Sequence, residues 1–223
     1  MPRYSRTSSS KRKTSNVKQY LEKTKYYPVS PATSYAVMYL NNYKRRALDL
    51  GCGALRDSKY FFNCGFTVDA IDKQPQVKKY TEFFKYRPKG LFNIIVADYN
   101  KYNFGKNKYI LINAQNTLSF NREVDVSKII EKIYNALKKG GYFSGNLFGP
   151  KDTWVKERDE KMSFYTLKKV KKLISKFKIR KIWEYDEDGE TANGEKKHWH
   201  IINFVAQKSS KNNQIQTNNA LIG

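Results

Sequence analysis

Cysteine is nearly absent from this chain of 223 residues: Cys52 and Cys64 are the only two. They are too few for a disulfide framework, and neither stands in the Cys-x-x-Cys spacing of a structural zinc site. Such usage fits a reducing cytoplasm, where the chain is expected to reside. Histidine is as scarce, with His198 and His200 alone. Two ligands fall short of a zinc site, so no metal is expected. No apolar run approaches the ~20 residues of a membrane span, and no membrane partner is expected. The start, Met1-Pro2-Arg3-Tyr4, has no apolar segment of the kind a secretory signal needs. No internal repeat is present.

Acidic residues are few as well. Lys and Arg number 43 against 20 Asp and Glu, a formal net charge of +23. Two readings stand. One is a polyanionic partner such as RNA, DNA or an acidic protein. The other is compositional, since lysine far outnumbers arginine and Asn, Ile, Tyr and Phe are also abundant, as an AT-rich coding sequence would dictate. Arginine supplies the bidentate contacts of nucleic-acid sites, and its scarcity favours the second reading.

Residues 1–16 are basic, rich in Ser and Thr, and almost free of large aliphatic side chains. They offer too little apolar surface to offset the entropy of ordering, so a disordered basic tail is expected. Lys11-Arg12-Lys13 is a candidate localisation or nucleic-acid patch, and the stretch also has the make-up of a transit peptide; a solvated tail is the simpler reading. Residues 209–223 are polar, rich in Asn and Gln, and expected to be disordered too. One domain over 17–208 remains.

Within it, strand and helix signals alternate. Ser30-Pro31 is expected to cap and start a helix through about Tyr43. Ala47–Leu50 reads as a strand, Arg56–Cys64 as a helix stopped by Gly65, and Thr67–Ile71 as a strand. A helix over Val77–Tyr86 is expected to end before Pro88. Phe92–Ala97 and Tyr109–Asn113 read as strands. Val126–Lys138 places Ile129, Ile130, Ile133 and Leu137 on one helical face, with Gly140-Gly141 closing it before a strand over Tyr142–Phe148. A helix over Thr166–Phe177 is followed by strands at Ile179–Tyr185 and Trp199–Ala206. Parallel neighbours need a long crossover, but the link 186–198 holds Gly189 and Gly194 and little apolar content, which suits an antiparallel hairpin. The prediction is an α/β fold with a doubly wound, mostly parallel seven-stranded sheet and a C-terminal antiparallel hairpin.

Leu48-Asp49-Leu50-Gly51-Cys52-Gly53 follows a strand and precedes a helix, so its glycines let the backbone turn tightly and approach a ligand. Asp72, at the tip of the second strand, is placed to accept both hydrogens of a ribose diol. Asp98, after the third, can accept from an adenine amino group, with Tyr99 flanking the ring. A dinucleotide would need a third glycine and a helix N-terminus free for its pyrophosphate. Here the run continues Ala54-Leu55-Arg56, and Asp57 sits in the first turn. Asp49 and Asp57 instead suit a cationic ligand carrying an ammonium and a sulfonium.

These residues resemble motif I of class I S-adenosylmethionine-dependent methyltransferases. More narrowly, Ala47 through Asp72 resembles the tellurite-resistance-type branch and its bacterial relatives. So do Leu118-Ser119-Phe120, Gly141–Gly149, Asp152-x-Trp154 and Lys197-His198-Trp199-His200, over about residues 30–208. Leu55 departs from the pattern, since many class I motifs have a third glycine there, and the shape of the loop is left open. The resemblance implies a Rossmann-like fold, S-adenosylmethionine as cofactor, and Asp49, Gly51, Cys52, Gly53, Asp72, Asp98 and Tyr99 as its binding residues.

The expected activity is methyl transfer to a small molecule, because the tails add no recognition module. A methyltransferase acting on nucleic acid or protein through the basic surface is the alternative; a third is a cofactor-binding protein without activity. Asn113-Ala114-Gln115-Asn116 ends the fourth strand without the Asn-Pro-Pro-Tyr run of amide N-methylating enzymes. Asn113 is a candidate catalytic residue or a strand-end cap. Trp154, Phe164 and Tyr165 line the acceptor site or pack its lid. His198 and His200 share one strand face and are candidate general bases; the other reading is structural. The fourth-strand tip, the Asp152–Trp154 loop and the final hairpin are expected to converge on one pocket.

Overall fold

The computed structural model describes residues 17–40, 45–156 and 161–209. The expected tails, Ser209 apart, lie outside these residues. Short apolar runs make the strands. Arg45–Leu50 (β1), Phe66–Asp72 (β2), Phe92–Val96 (β3), Tyr109–Ala114 (β4) and Leu137–Phe148 (β5) pair in parallel. Phe177–Glu190 (β6) and Lys196–Lys208 (β7) add an antiparallel end, giving a seven-stranded sheet of order β3-β2-β1-β4-β5-β7-β6. This is the fold class expected from the sequence. Strand order reverses between β1 and β4, and in doubly wound sheets the ligand crevice lies beyond the carboxyl ends at that reversal.

Alternation along the strands gives each face its own core. Ala47, Val68, Ala70 and Leu111 pack against residues 17–24 (α1), Pro31–Met38 (α2), Arg56–Asn63 (α3) and a 3₁₀ segment, Pro75–Phe84. Leu48, Leu50, Ile71 and Ile112 pack against Glu123–Ala136 (α4) and Leu167–Leu173 (α5). Among the described residues no helix is long and apolar enough to cross a membrane.

Several boundaries differ from those expected. α2 stops at Met38, and Ser30 does not cap it with its side chain; its N–H and hydroxyl are given to Asp57 instead. Residues 41–43, the rest of the expected helix after Leu40, lie outside the described residues. Residues 75–84 are 3₁₀ rather than α. Leu137 leaves α4 and begins β5, so Gly140-Gly141 sit inside a strand; a register shift on β4 between Tyr109 and Leu111 accommodates them. Phe177 leaves α5 for β6, where its ring packs on Phe143 and Tyr134. The final strands reach much further than their apolar residues, closing in a turn where Thr191 N donates to Glu195 O at 2.8 Å. Polar pairs supply the missing pattern: Asp186 faces His200, Asp188 faces His198 and Glu190 faces Lys196 across the ladder.

One carboxylate is locked into this framework. Asp69 on β2 is buried and accepts from Tyr109 Oη at 2.7 Å, Arg46 Nη2 at 2.8 Å and Asn93 Nδ2 at 2.8 Å, with Lys108 Nζ 3.1 Å away. Burial alone would raise its pKa, but these donors outweigh burial and hold it down at about 2. The unfolded value is ~3.9, so the ionised pair stabilises the fold above that pH and the gain is lost as pH falls through the folded value. The gain is about 2 kcal/mol. Urea unfolding followed from about pH 5 down to about pH 2 should show an acid loss in the wild type that is shallower by that amount in Asp69→Asn; parallel curves would contradict the assignment.

Candidate functional site

The loop after β1 is shaped by close approach. Gly51 has φ +66°, and a Cβ there would lie 2.2 Å from Thr117 Oγ1 on the loop after β4. Only glycine lets the two central loops meet. Gly53 N donates to Asp72 Oδ2 at 3.0 Å and Gln74 N to Asp72 Oδ1 at 2.9 Å, which fixes the carboxylate at the tip of β2. Leu55 answers the question its side chain raised. It adopts φ +63°, ψ 25°, the left-handed conformation that a glycine would take. The strain of ~1–2 kcal/mol is offset because the side chain is fully buried among α1, α2 and α3.

Below this loop lies a buried polar network. Asn113 at the end of β4 is fully buried. Its Nδ2 donates to Asp49 Oδ1 at 2.9 Å and reaches Asp57 Oδ2 at 3.4 Å. Its Oδ1 accepts from Ser144 Oγ at 2.7 Å, Thr33 Oγ1 at 2.9 Å and Gln115 Nε2 at 3.0 Å. Two carboxylates on one side and three donors on the other allow only one orientation of the amide. Gln115 is thereby oriented too: its Nε2 is used, and its buried Oε1 has no hydrogen-bond partner. Asp49 also accepts from Ser58 Oγ at 2.6 Å. Burial, and secondarily the nearby Asp57 carboxylate, push the Asp49 carboxyl up to about 7. Burial likewise pushes the Cys52 thiol well above its ordinary value, which disfavours the thiolate.

Asp49, Gly51, Cys52, Gly53, Asp57 and Gln115 line a narrow recess of about 40 Å³. It opens into a cavity of about 890 Å³ that Asp72, Asp98 and Tyr99 line beyond it. Asp98 is exposed on the loop after β3 and accepts from Asn100 N at 2.9 Å. The Tyr99 hydroxyl accepts from Asn121 Nδ2 at 2.7 Å, and its ring is buried. At the far end Phe120, Phe148, Trp154 and Trp199 line the same cavity. The Leu118–Phe120 segment is tied to that end, since Ser119 Oγ accepts from Phe148 N at 2.8 Å and Ser119 O from Ser163 N at 2.9 Å.

A family model described as tellurite resistance protein TehB matches residues 15–153. The chain belongs to the TehB family. No curated protein matches it. Among solved structures, TehB from Haemophilus influenzae is 17% identical with a TM-score of 0.67, over 86% of this chain and 67% of that one. A SAM-dependent methyltransferase from Methanosarcina mazei is 21% identical with a TM-score of 0.63, over 83% of this chain and 100% of that one. The 1,6-didemethyltoxoflavin-N1-methyltransferase of Burkholderia thailandensis is 15% identical with a TM-score of 0.66, over 94% of this chain and 92% of that one. At these identities the likeness is one of fold.

In this TehB-family chain the strand tips, the Asp152–Trp154 loop and the final hairpin do meet at one cavity. Three candidate catalytic residues sit away from it. Asn113 lies beneath the recess with its hydrogen bonds filled by protein. Trp199 and Ile201 of β7 line the cavity, so alternation turns His198 and His200 to the other face. There His200 is buried under Gly149, where a Cβ would meet its ring at 2.2 Å. Lys151 N donates to its Nδ1 at 3.2 Å, leaving Nε2–H to donate to Glu184 at 2.9 Å. His198 lies between Asp188 and Asp186, which raise its pKa. Among the residues that sequence reading missed are Tyr20 and Leu21 of α1, which cover the cavity, Arg56, and Gln115 in its oriented role.

The raised Asp49 carboxyl has a consequence for stability. A carboxyl whose folded pKa exceeds its unfolded one favours the fold at low pH, and that gain is lost as pH rises through the folded value, here from ~4 to about 7. Ligand-free protein is expected to melt higher at pH 5 than at pH 7.5, and Asp49→Asn should flatten that difference. A variant with the wild-type pH profile would assign the carboxyl no such role.

Proposed function

We propose that this TehB-family chain is an S-adenosylmethionine-dependent methyltransferase acting on a small molecule. The observation that carries the reading is the recess. Asp49 and the unpartnered Gln115 Oε1 present acceptors that suit an ammonium, while Asp57 holds the guanidinium of Arg56, which lines the same recess. From there the cavity passes Asp72, where a ribose diol donates to a carboxylate already oriented by two backbone N–H groups. Asp98 and Tyr99 then flank the place for the base. The cofactor, when bound, supplies an electrophilic methyl carbon on a sulfonium centre. The chain's residues bind and orient it: charge-assisted bonds at Asp49 and Asp72 hold its ammonium and its ribose, and the cover of α1 excludes water. Asn113 acts as the positioning residue for Asp49 and Gln115, and the two histidines brace the hairpin.

A small-molecule acceptor is supported by the size of the cavity, within the ~300–1,000 Å³ usual for such sites, and by its aromatic far end. The Burkholderia neighbour, which holds 1,6-didemethyltoxoflavin together with S-adenosylhomocysteine, has the same fold. The two free cysteines fit a cytoplasmic setting.

Calorimetry with S-adenosylhomocysteine tests the cofactor half. Asp72→Asn should weaken binding about tenfold or more, which is ~1.4 kcal/mol, with the melting temperature of the free protein little changed. Equal affinity in the variant would remove the ribose assignment, and tighter binding of NAD would remove the class.

A further inference from the structure

The far wall of the cavity is built of rings. Phe120, Phe148, Trp154 and Trp199 all line it. They contact one another edge to face, with centroids 5.6 Å apart for Phe120–Phe148, 5.4 Å for Phe148–Trp154 and 5.4 Å for Trp154–Trp199. Such a wall has two natural ligands: a cation held against the ring faces, or a flat uncharged ring system.

The cation position is already taken. Lys197 Nζ lies 4.0 Å from the centroid of Trp154 and 4.4 Å from that of Trp199, and the side chain is buried. Its counter-ion is Asp152, whose carboxylate pairs with the ammonium and also accepts from Trp154 N at 3.0 Å and His200 N at 3.4 Å. The chain's own ammonium thus occupies a ring face of Trp154 and of Trp199, and a bound cation would have to compete with it for those rings. That pair also explains why Asp152-x-Trp154 and Lys197-His198-Trp199 occur together: each supplies one ion and one ring.

The bases that line the cavity are carboxylates, Glu190 at the hairpin turn and Asp125 among them. Neither histidine lines it, and the Tyr185 hydroxyl is pushed above its ordinary value by burial and by Glu187. A substrate that needs a strong base is poorly served here.

We propose that the methyl acceptor is a planar heteroaromatic small molecule, neutral or anionic, that reacts through a ring-conjugated sulfur or nitrogen already free of its proton at neutral pH. The proposal rests on the methyltransferase reading and names the substrate class of the same site. The acceptor lone pair forms the new bond to the methyl carbon while that carbon's bond to sulfur breaks, and the sulfur keeps the electron pair as a neutral thioether. With a thiolate acceptor no proton remains to be moved. Phe120, Trp154 and Trp199 set the plane of the ring and so the line of attack.

The test uses the full-length protein saturated with S-adenosylhomocysteine, with binding read by calorimetry. The probes are 2-mercaptobenzothiazole, a flat thiol that ionises near neutral pH, cyclohexanethiol as the non-planar thiol, and phenyltrimethylammonium as the cationic ring. The flat thiol should bind at least tenfold tighter than either of the others and should gain label from methyl-labelled S-adenosylmethionine. Phe120→Ala, at a partly exposed position, and Trp154→Leu should each weaken it about tenfold while leaving S-adenosylhomocysteine affinity unchanged. Equal binding of cyclohexanethiol, tighter binding of the cationic ring, or wild-type affinity in both folded variants would overturn the proposal. So would faster methyl transfer to a single-stranded oligonucleotide than to the flat thiol. A wild type that fails to bind S-adenosylhomocysteine would overturn the cofactor reading with it, and that result appears before any acceptor is added.

Discussion

The amide of Asn113 is the group on which the centre of the molecule depends. It is held by α2 through Thr33, β1 through Asp49, β5 through Ser144 and the loop after β4 through Gln115, with Asp57 of α3 within reach. A buried polar group left without partners costs more than a satisfied one contributes, so these elements can close only in the arrangement that satisfies all of them. That arrangement sets Asp49 and Gln115 in the recess. Folding and ligand preparation here are one event, because the bonds that join the elements are those that aim the acceptors.

The chain is basic overall, and four of its 20 acids, Asp49, Asp57, Asp69 and Asp152, are buried with donors in place. Three of them hold basic partners: Arg56 at Asp57, Arg46 and Lys108 at Asp69, and the buried Lys197 at Asp152. These acids are thus taken up by internal pairing. The exposed lysines of α5, including Lys168, Lys171 and Lys172, fit this view without a polyanionic partner.

What could be read from the sequence was local chemistry. The glycines after β1 and the acids at the strand tips stand at fixed short offsets from apolar runs, so their positions follow once the strands are recognised. The hairpin could be inferred from the link's lack of apolar content, but not its length, because Asp186, Asp188 and Glu190 face polar partners across the ladder and the stretch shows no apolar alternation. Leu137 counted equally well for the helical face and for the strand, and only the β4 register assigns it to β5. His198 and His200 were placed on one strand face correctly, but which face cannot be seen without knowing that Trp199 and Ile201 point to the cavity. The role of Gln115 has no local signal, since it follows from partners on four other segments.

The hairpin has one further consequence. Its ladder runs from the sheet's edge to the turn at Thr191–Glu195, and Glu190 and Ala192 at that turn border the cavity. Lengthening or recolouring the turn would reshape that end of the cavity without touching β1, β4 or the polar network beneath them. The fold therefore treats the two ends of the cavity differently: one is bound into the core and resists change, while the other hangs on a free sheet edge where changes in the turn cost little stability.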